Sequence, residues 1–262
     1  MTFLGFSNDA WVGIIIGAIL GAILGAIVIP FVLYGIRCCI NWLITSRPRN
    51  KVLGPIANDS EDCTIFIRDF LLPPNSQILA KESAYLPYGV VPNVIDFWAD
   101  VDGMAMSYVF NALGQVGKRR NIKVVRMSQD TGIWDTNLIV IGAQAQKNFD
   151  FYDNLRGVMY KVDASDIIDK QTGQCIKKES GYGYGIILKA RNQFKTAGSS
   201  GVGFLIGGFG TLGTKAAAYY FSQHLKELGK QFGSTCFGVV VRASVKVGEQ
   251  AVERLPQYDK AE

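Results

Sequence analysis

The sequence predicts an α/β protein: a single N-terminal transmembrane helix followed by a Rossmann-like three-layer sandwich around a mostly parallel sheet. Three observations carry this. Residues 10 to 36 form an apolar run without a charge. From residue 61 onward short β-branched runs alternate with amphipathic segments. The stretch GVGFLIGGFGTLGTKAAAYYF, residues 201 to 221, reads as a strand that passes through a glycine-rich turn into a helix.

The apolar run AWVGIIIGAILGAILGAIVIPFVLYGI is long enough, at about 1.5 Å per residue, to exceed the roughly 30 Å of a hydrocarbon core. No cation precedes it and no small-residue cleavage site clearly follows, so it reads as an anchor and not a signal peptide. Arg37, Arg47, Arg49 and Lys51 all lie on its C-terminal side. The positive-inside rule therefore puts residues 1–9 outside, the span at 10–36, a juxtamembrane linker at 37–60 and a cytoplasmic domain at 61–262. Within the span Gly13, Gly17, Gly21 and Gly25 recur every fourth residue, with Ala18, Ala22 and Ala26 beside them. Such a stripe lets helices in lipid approach backbone to backbone, which predicts a homo-oligomer. Pro30 is expected to kink the helix where the stripe ends.

In the domain, CTIFIRDF (63–70) reads as a buried strand, followed by an irregular crossover through LPYGVVPNV. Residues 100 to 117 have Met104, Tyr108, Val109 and Leu113 at helical spacing behind an Asp100 or Asp102 cap. IKVVRM (122–127) and NLIVIG (137–142) are continuous apolar strands, the pattern of strands covered on both faces. A Thr-Gly turn in IIDKQTGQCIKK (167–178) predicts a surface hairpin. GYGYGIILKAR adds a strand, and CFGVVVRASV (236–245) is expected to close the sheet.

The net charge of +5 is too small to argue for nucleic-acid binding. Lys118, Arg119, Arg120 and Lys123 read as a solvated turn, with anionic lipid headgroups as the alternative contact. Five cysteines without metal-ligand spacing suit a reducing compartment. One histidine, His224, allows neither a metal triad nor a nucleophile elbow.

The chemistry therefore concentrates at the glycine turn. Gly208, Gly210 and Gly213 satisfy G-x-G-x-x-G in the strand-to-helix context that this motif needs. Free N–H groups at the helix start, with the Thr211 and Thr214 hydroxyls, favour an anion. Where a dinucleotide enzyme wants an acid on the following strand this sequence has Arg242, so the motif does not indicate a dehydrogenase. A second loop after a central strand carries Gly142, Gln144, Gln146, Lys147 and Asn148, suited to phosphate or base contacts. Asp69, Asp100 and Asp102 border the same predicted edge.

The segment GGFGTLGT resembles the PGGxGTxxE signature of the LOG phosphoribohydrolases and the wider SLOG superfamily of nucleotide enzymes and sensors. Gly207, Gly208, Gly210 and Thr211 match that family's phosphate-cradling loop. Ile206 replaces its proline, and Gly213 and Thr214 stand where glutamates belong, so the resemblance implies nucleotide binding more than hydrolysis. In architecture the chain is similar to single-pass, membrane-anchored prokaryotic effectors with a Rossmann-like sensor. The expected function is a sensor or effector that binds a nucleotide or phosphorylated small molecule and controls self-association of the glycine-striped helix. The alternatives are a tethered nucleotide- or sugar-phosphate-processing enzyme using Asp69, Asp100 or Asp102, and an oligomeric scaffold. No cofactor is named by the sequence.

Overall fold

A computed structural model describes residues 8–67, 69–71, 96–98, 100–127, 134–143, 146–163, 166–196 and 200–262. The chain divides into two compact units, Met1–Arg47 and Pro48–Glu262.

The first unit is helical: α1 (Asn8–Ile23), a π turn (Leu24–Val28), α2 (Ile29–Asn41) and a second π turn (Trp42–Ser46). One helix near the N-terminus is long and apolar enough to cross a membrane by length and composition. Every residue from Val12 to Ile44 is exposed. The wide turn at 24–28 sits just ahead of Pro30, which has no N–H to donate and whose ring crowds the carbonyl four residues back. A methyl group added at Gly13, Gly17, Gly21 or Gly25 would meet nothing within 4 Å. Gly25 lies inside the π turn, so only the first three glycines keep the regular helical register.

The second unit opens at Pro48 with all but the first residue of α3 (Arg47–Leu53), followed by a 3-10 turn (Gly54–Ala57). Val52, Leu53 and Ile56 are fully buried in the domain core, so from Pro48 onward the segment expected as linker is part of the folded unit. Its polar ends do not betray this, because the burial rests on three apolar residues spaced to one face.

An eight-stranded mixed sheet organises the rest, in the order β11-β10-β8-β9-β5-β1-β4, with β12 also on β10. The strands are β1 (Cys63–Ile67), β4 (Ile122–Arg126), β5 (Asn137–Ile141), β8 (Tyr182–Asn192), β9 (Gly201–Gly208), β10 (Phe237–Ser244), β11 (Val252–Arg254) and β12 (Lys260–Ala261). β4, β1, β5 and β9 are mutually parallel, and β10 runs the same way, while β8, β11 and β12 oppose them. The antiparallel β8–β9 pair follows from its connection of residues 193–200, too short for a helical crossover. Two short pairs stand apart from this sheet: β2 (Asp69–Leu71) with β3 (Asp96–Trp98), and β6 (Tyr160–Asp163) with β7 (Asp166–Asp169).

Helices α3, α4 (Asp100–Gly114) and α6 (Gly210–Gln231) pack on one face around Phe204, Phe221 and Phe237. On the other face α5 (Gln146–Asn154) and the β6–β7 pair cover Phe66, Leu138, Val140 and Leu205. α6 departs from helical geometry at His224 (φ −111°, ψ 18°), two residues after Ser222, whose carbonyl accepts the Gln115 side-chain amide at 2.7 Å.

Three expectations change. β4 is an edge strand with Lys123 and Val124 exposed, not a strand covered on both faces, because a β-branched run looks alike in the centre and at the rim. β10 does not close the sheet, since β11 and β12 lie outside it. Lys118 is not solvated: it is 3% exposed, and its ammonium donates to the carbonyls of Asn58, Asp59 and Glu61. The expected hairpin is present, with Ile176 N–H on Ile167 O and the Asp169 carboxylate accepting from the Gln171 and Thr172 amides. The crossover at 86–94 lies outside the described residues.

Candidate functional site

The chain leaves β1 toward β4 on one side and β5 toward β9 on the other, so the strand order reverses between β1 and β5. Carboxyl ends of parallel strands at such a reversal are where open α/β sheets leave a crevice. Two helices begin directly after strands on this side, α5 after β5 and α6 after β9. α4 runs parallel to α6: Met104 Sδ lies 4.0 Å from Lys215 Nζ, the Tyr108 and Tyr219 rings are 5.2 Å apart, and Gln115 reaches Ser222. Three helix N-termini thus share one edge of the sheet.

The glycines of the turn divide by task. Gly207 and Gly208 end β9, and Gly213 lies in the first turn of α6. A methyl group on Gly213 would fall 2.1 Å from Tyr184 O, on Gly208 2.4 Å from the same atom, and on Gly207 2.1 Å from Gly142 O. These three glycines allow helix and strands to touch through their backbones. All three are buried, so they present no surface to a ligand. Gly210 is different: it is exposed, adopts φ +57°, and a methyl group there would meet nothing within 4 Å.

Phe209 is the N-cap residue and supplies no side-chain cap. Its own N–H donates to Tyr184 O at 2.8 Å, and its carbonyl accepts from Gly213 at 3.2 Å. The amides of the first helical turn, at Gly210, Thr211 and Leu212, have no intrahelical acceptor by construction. Thr211 is exposed beside them. Thr214 is 4% exposed and turns its hydroxyl back to Gly210 O at 3.5 Å, so it does not serve the open side of the turn.

Gly142, with φ +99°, directly follows β5 and donates its N–H to Ile206 O at 2.9 Å. Its carbonyl against Gly207 brings the two glycine-opened loops into direct contact, as their shared edge required. Lys147 and Asn148 lie in the first turn of α5, and Gln146 is its first residue. Gln144 lies outside the described residues. Asp102 is 1% exposed in the first turn of α4, level with the first turn of α6 by the contacts above, whereas Asp69 belongs to the separate β2–β3 pair. Asp100 is the first residue of α4.

Of the cations that flank this turn, sequence reading singled out Arg242 and passed over Lys178 and Lys215. Lys178 lies 4.5 Å from the centre of the Phe209 ring and forms a 2.9 Å pair with Asp166. Lys215 Nζ is 3.9 Å from a Glu249 carboxylate oxygen. Arg242 stacks 4.6 Å over Tyr182 and pairs with Glu179 at 2.8 Å and Glu253 at 3.4 Å. Burial works against the Arg242 charge, yet its bonds to Tyr184 and Glu253 hold its pKa above the ordinary guanidinium value. Its strand register with Tyr184 is what places it here, and no local sequence signal gives that pairing. Tyr108 donates to Glu249 at 3.3 Å, and burial followed by the Glu249 charge raises its pKa. His224 stands about four turns along α6 from Gly210, stacked 4.2 Å on Tyr220 and 2.7 Å from Glu227.

Elsewhere, burial pushes the Cys63 thiol up to about 12, which makes it unreactive. Clefts among the described residues include those at the amino ends of β1 and β4, beside Gly157 and Lys260, around Lys189, and along α2. No protein-family model matches the sequence, and no curated protein matches it significantly.

Proposed function

We propose that this is a single-pass membrane protein whose Rossmann-like domain, on the cytoplasmic side with the N-terminus outside, binds a nucleotide or another phosphorylated small molecule. The observation that carries the reading is the exposed start of α6 at Gly210 and Thr211, set against the Gly142 loop at the reversal of strand order. A long helix directs partial positive charge to that end, and unpaired amides there suit phosphate oxygens. Lys178, Lys215 and Arg242 stand around the turn, but each is already paired with a carboxylate, so the helix amides and not these side chains carry the reading. The likeness of GGFGTLGT to the LOG and SLOG phosphate loop points the same way, with Gly210 and Thr211 as its open part.

In this reading the ligand controls self-association of the glycine-striped helix through Gly13, Gly17 and Gly21, and the partners are the bilayer, further copies of the chain and the ligand. The absence of a glutamate after the glycine loop, and the burial of Asp102, favour sensing over turnover. The test is isothermal titration of the full chain in detergent micelles against mononucleotides, dinucleotides and cyclic oligonucleotides. Binding by one member that Thr211→Trp weakens supports the reading, and heat from none of them ends it.

A further inference from the structure

At the other edge of the sheet, the full length of β9 away from the glycine turn and so about 23 Å from it, lies a cleft of about 510 Å³ at the first residue of β9, Gly201. Its polar lining is Lys189, Arg191, Ser200 and Ser234, joined by the chain at Gly54 and Pro55, with no carboxylate in the lining among the described residues. Lys189 is 2% exposed. A buried ammonium is costly unless its protons and its charge are both answered.

The two lysines buried among the described residues differ on that point. Lys118 donates to three carbonyls, two of them at 2.9 and 2.5 Å. Lys189 reaches only Lys51 O at 3.4 Å and Gly233 O at 3.3 Å, both longer than the usual 2.9–3.0 Å of such bonds. Burial pushes the Lys189 pKa down to about 8, with the Cys236 thiol the neighbour that opposes this. Arg191 is two residues on, on the same face of the strand. Its guanidinium, already in the lining, meets Glu262 at 2.9 Å with 68% of its side chain exposed, so an anion in the cleft has only a solvent-screened carboxylate to compete with. Two cations, two hydroxyls and glycine backbone around a cavity, with one cation buried and poorly answered, describe a site whose missing component is an anion.

We propose that this cleft binds a small phosphate-class anion between Lys189 and Arg191, with the Ser200 and Ser234 hydroxyls as further donors. Phosphate geometry suits a point charge from lysine combined with the planar fork of arginine. The source is either a free phosphate or phosphomonoester or the headgroup of an anionic lipid. Lys189 already links Lys51 of α3 to Gly233 beyond α6. An occupied cleft therefore tightens the hold on α3, the segment through which the domain continues from residue 47. This site is separate from the glycine turn and does not depend on a ligand binding there.

The experiment is thermal unfolding of the full chain, in detergent micelles with inorganic phosphate against chloride at matched ionic strength, and in nanodiscs of phosphatidylcholine with and without phosphatidic acid. Phosphate at ten times its dissociation constant is expected to raise the midpoint by roughly 3–6 °C. A rise in micelles identifies a soluble phosphate, and a rise only with phosphatidic acid identifies a lipid headgroup. Lys189→Met, which replaces the buried charge with an apolar chain of similar length, and the exposed Arg191→Gln are each expected to remove the rise. No rise in either medium overturns the proposal. So does a rise that persists undiminished in Arg191→Gln and in Lys189→Met, which would place the anion elsewhere, the glycine turn included.

Discussion

Gly213→Ala is the sharpest test of how the glycine motif works. The added methyl carbon would lie 2.1 Å from Tyr184 O, 2.9 Å from Tyr184 C and 3.2 Å from Gly208 C, all backbone atoms that no rotamer change can move. Restoring an ordinary C···O approach of about 3.3 Å requires α6 and β8 to part by about 1.2 Å. Parting them strains the Phe209 N–H bond to Tyr184 O and opens a gap beside Ala216, Ala217 and Phe221, which are fully buried. Overpacking of this kind costs about 1–3 kcal/mol, and the weakened bond adds about 1 kcal/mol. For a domain of this size the total lowers the unfolding midpoint by roughly 10 °C. Gly210→Ala is the control, since the site is open and only the φ of +57° opposes it, at about 1–2 kcal/mol. Tryptophan-fluorescence melting of the two variants in detergent compares them directly. If Gly213→Ala melts within 2 °C of the parent, or below-parent melting is greater for Gly210→Ala, the division of the motif into packing and open glycines is refuted.

Lys118→Met removes the donor that serves the Asn58, Asp59 and Glu61 carbonyls and is expected to cost about 3 kcal/mol in urea unfolding, far more than a surface lysine would. Asp169 gives a pH dependence. Burial opposes its charge, but bonds from Lys260, the Thr172 hydroxyl and two backbone amides hold its carboxyl down at about 2, below the ordinary 3.8. Because the folded value is the lower one, its contribution of about 2 kcal/mol is complete above pH 4 and is lost as pH falls from about 4 to 2. The stability gap between the parent and Asp169→Asn should therefore close over that interval, as followed by urea unfolding at each pH. Gly17→Leu with Gly21→Leu fills the stripe and is expected to shift light-scattering mass in detergent toward the monomer while nucleotide titration is unchanged. Retained oligomers would remove the stripe from the proposed function.

Composition and periodicity were sufficient for the anchor-like helix, because an uncharged run of such length has few other uses. They were also sufficient for β5, β9 and the start of α6, where apolar runs end at glycines whose backbone demands are local. The roles inside GGFGTLGT were not legible: Gly208, Gly210 and Gly213 look equivalent in sequence, and only the approach of Tyr184 O from another strand makes two of them packing residues. The same holds for Lys118 and Lys189, which read as ordinary surface cations until three carbonyls of one loop, or two carbonyls and a cleft, are found around them. Arg242 reaches the candidate edge only through its register with Tyr184. Local sequence fixes what a segment can become, through dihedral preference and the side on which its apolar residues fall. Which distant backbone lies within 3 Å of a given residue depends on strand order and register, and those are decided by the whole chain packing at once.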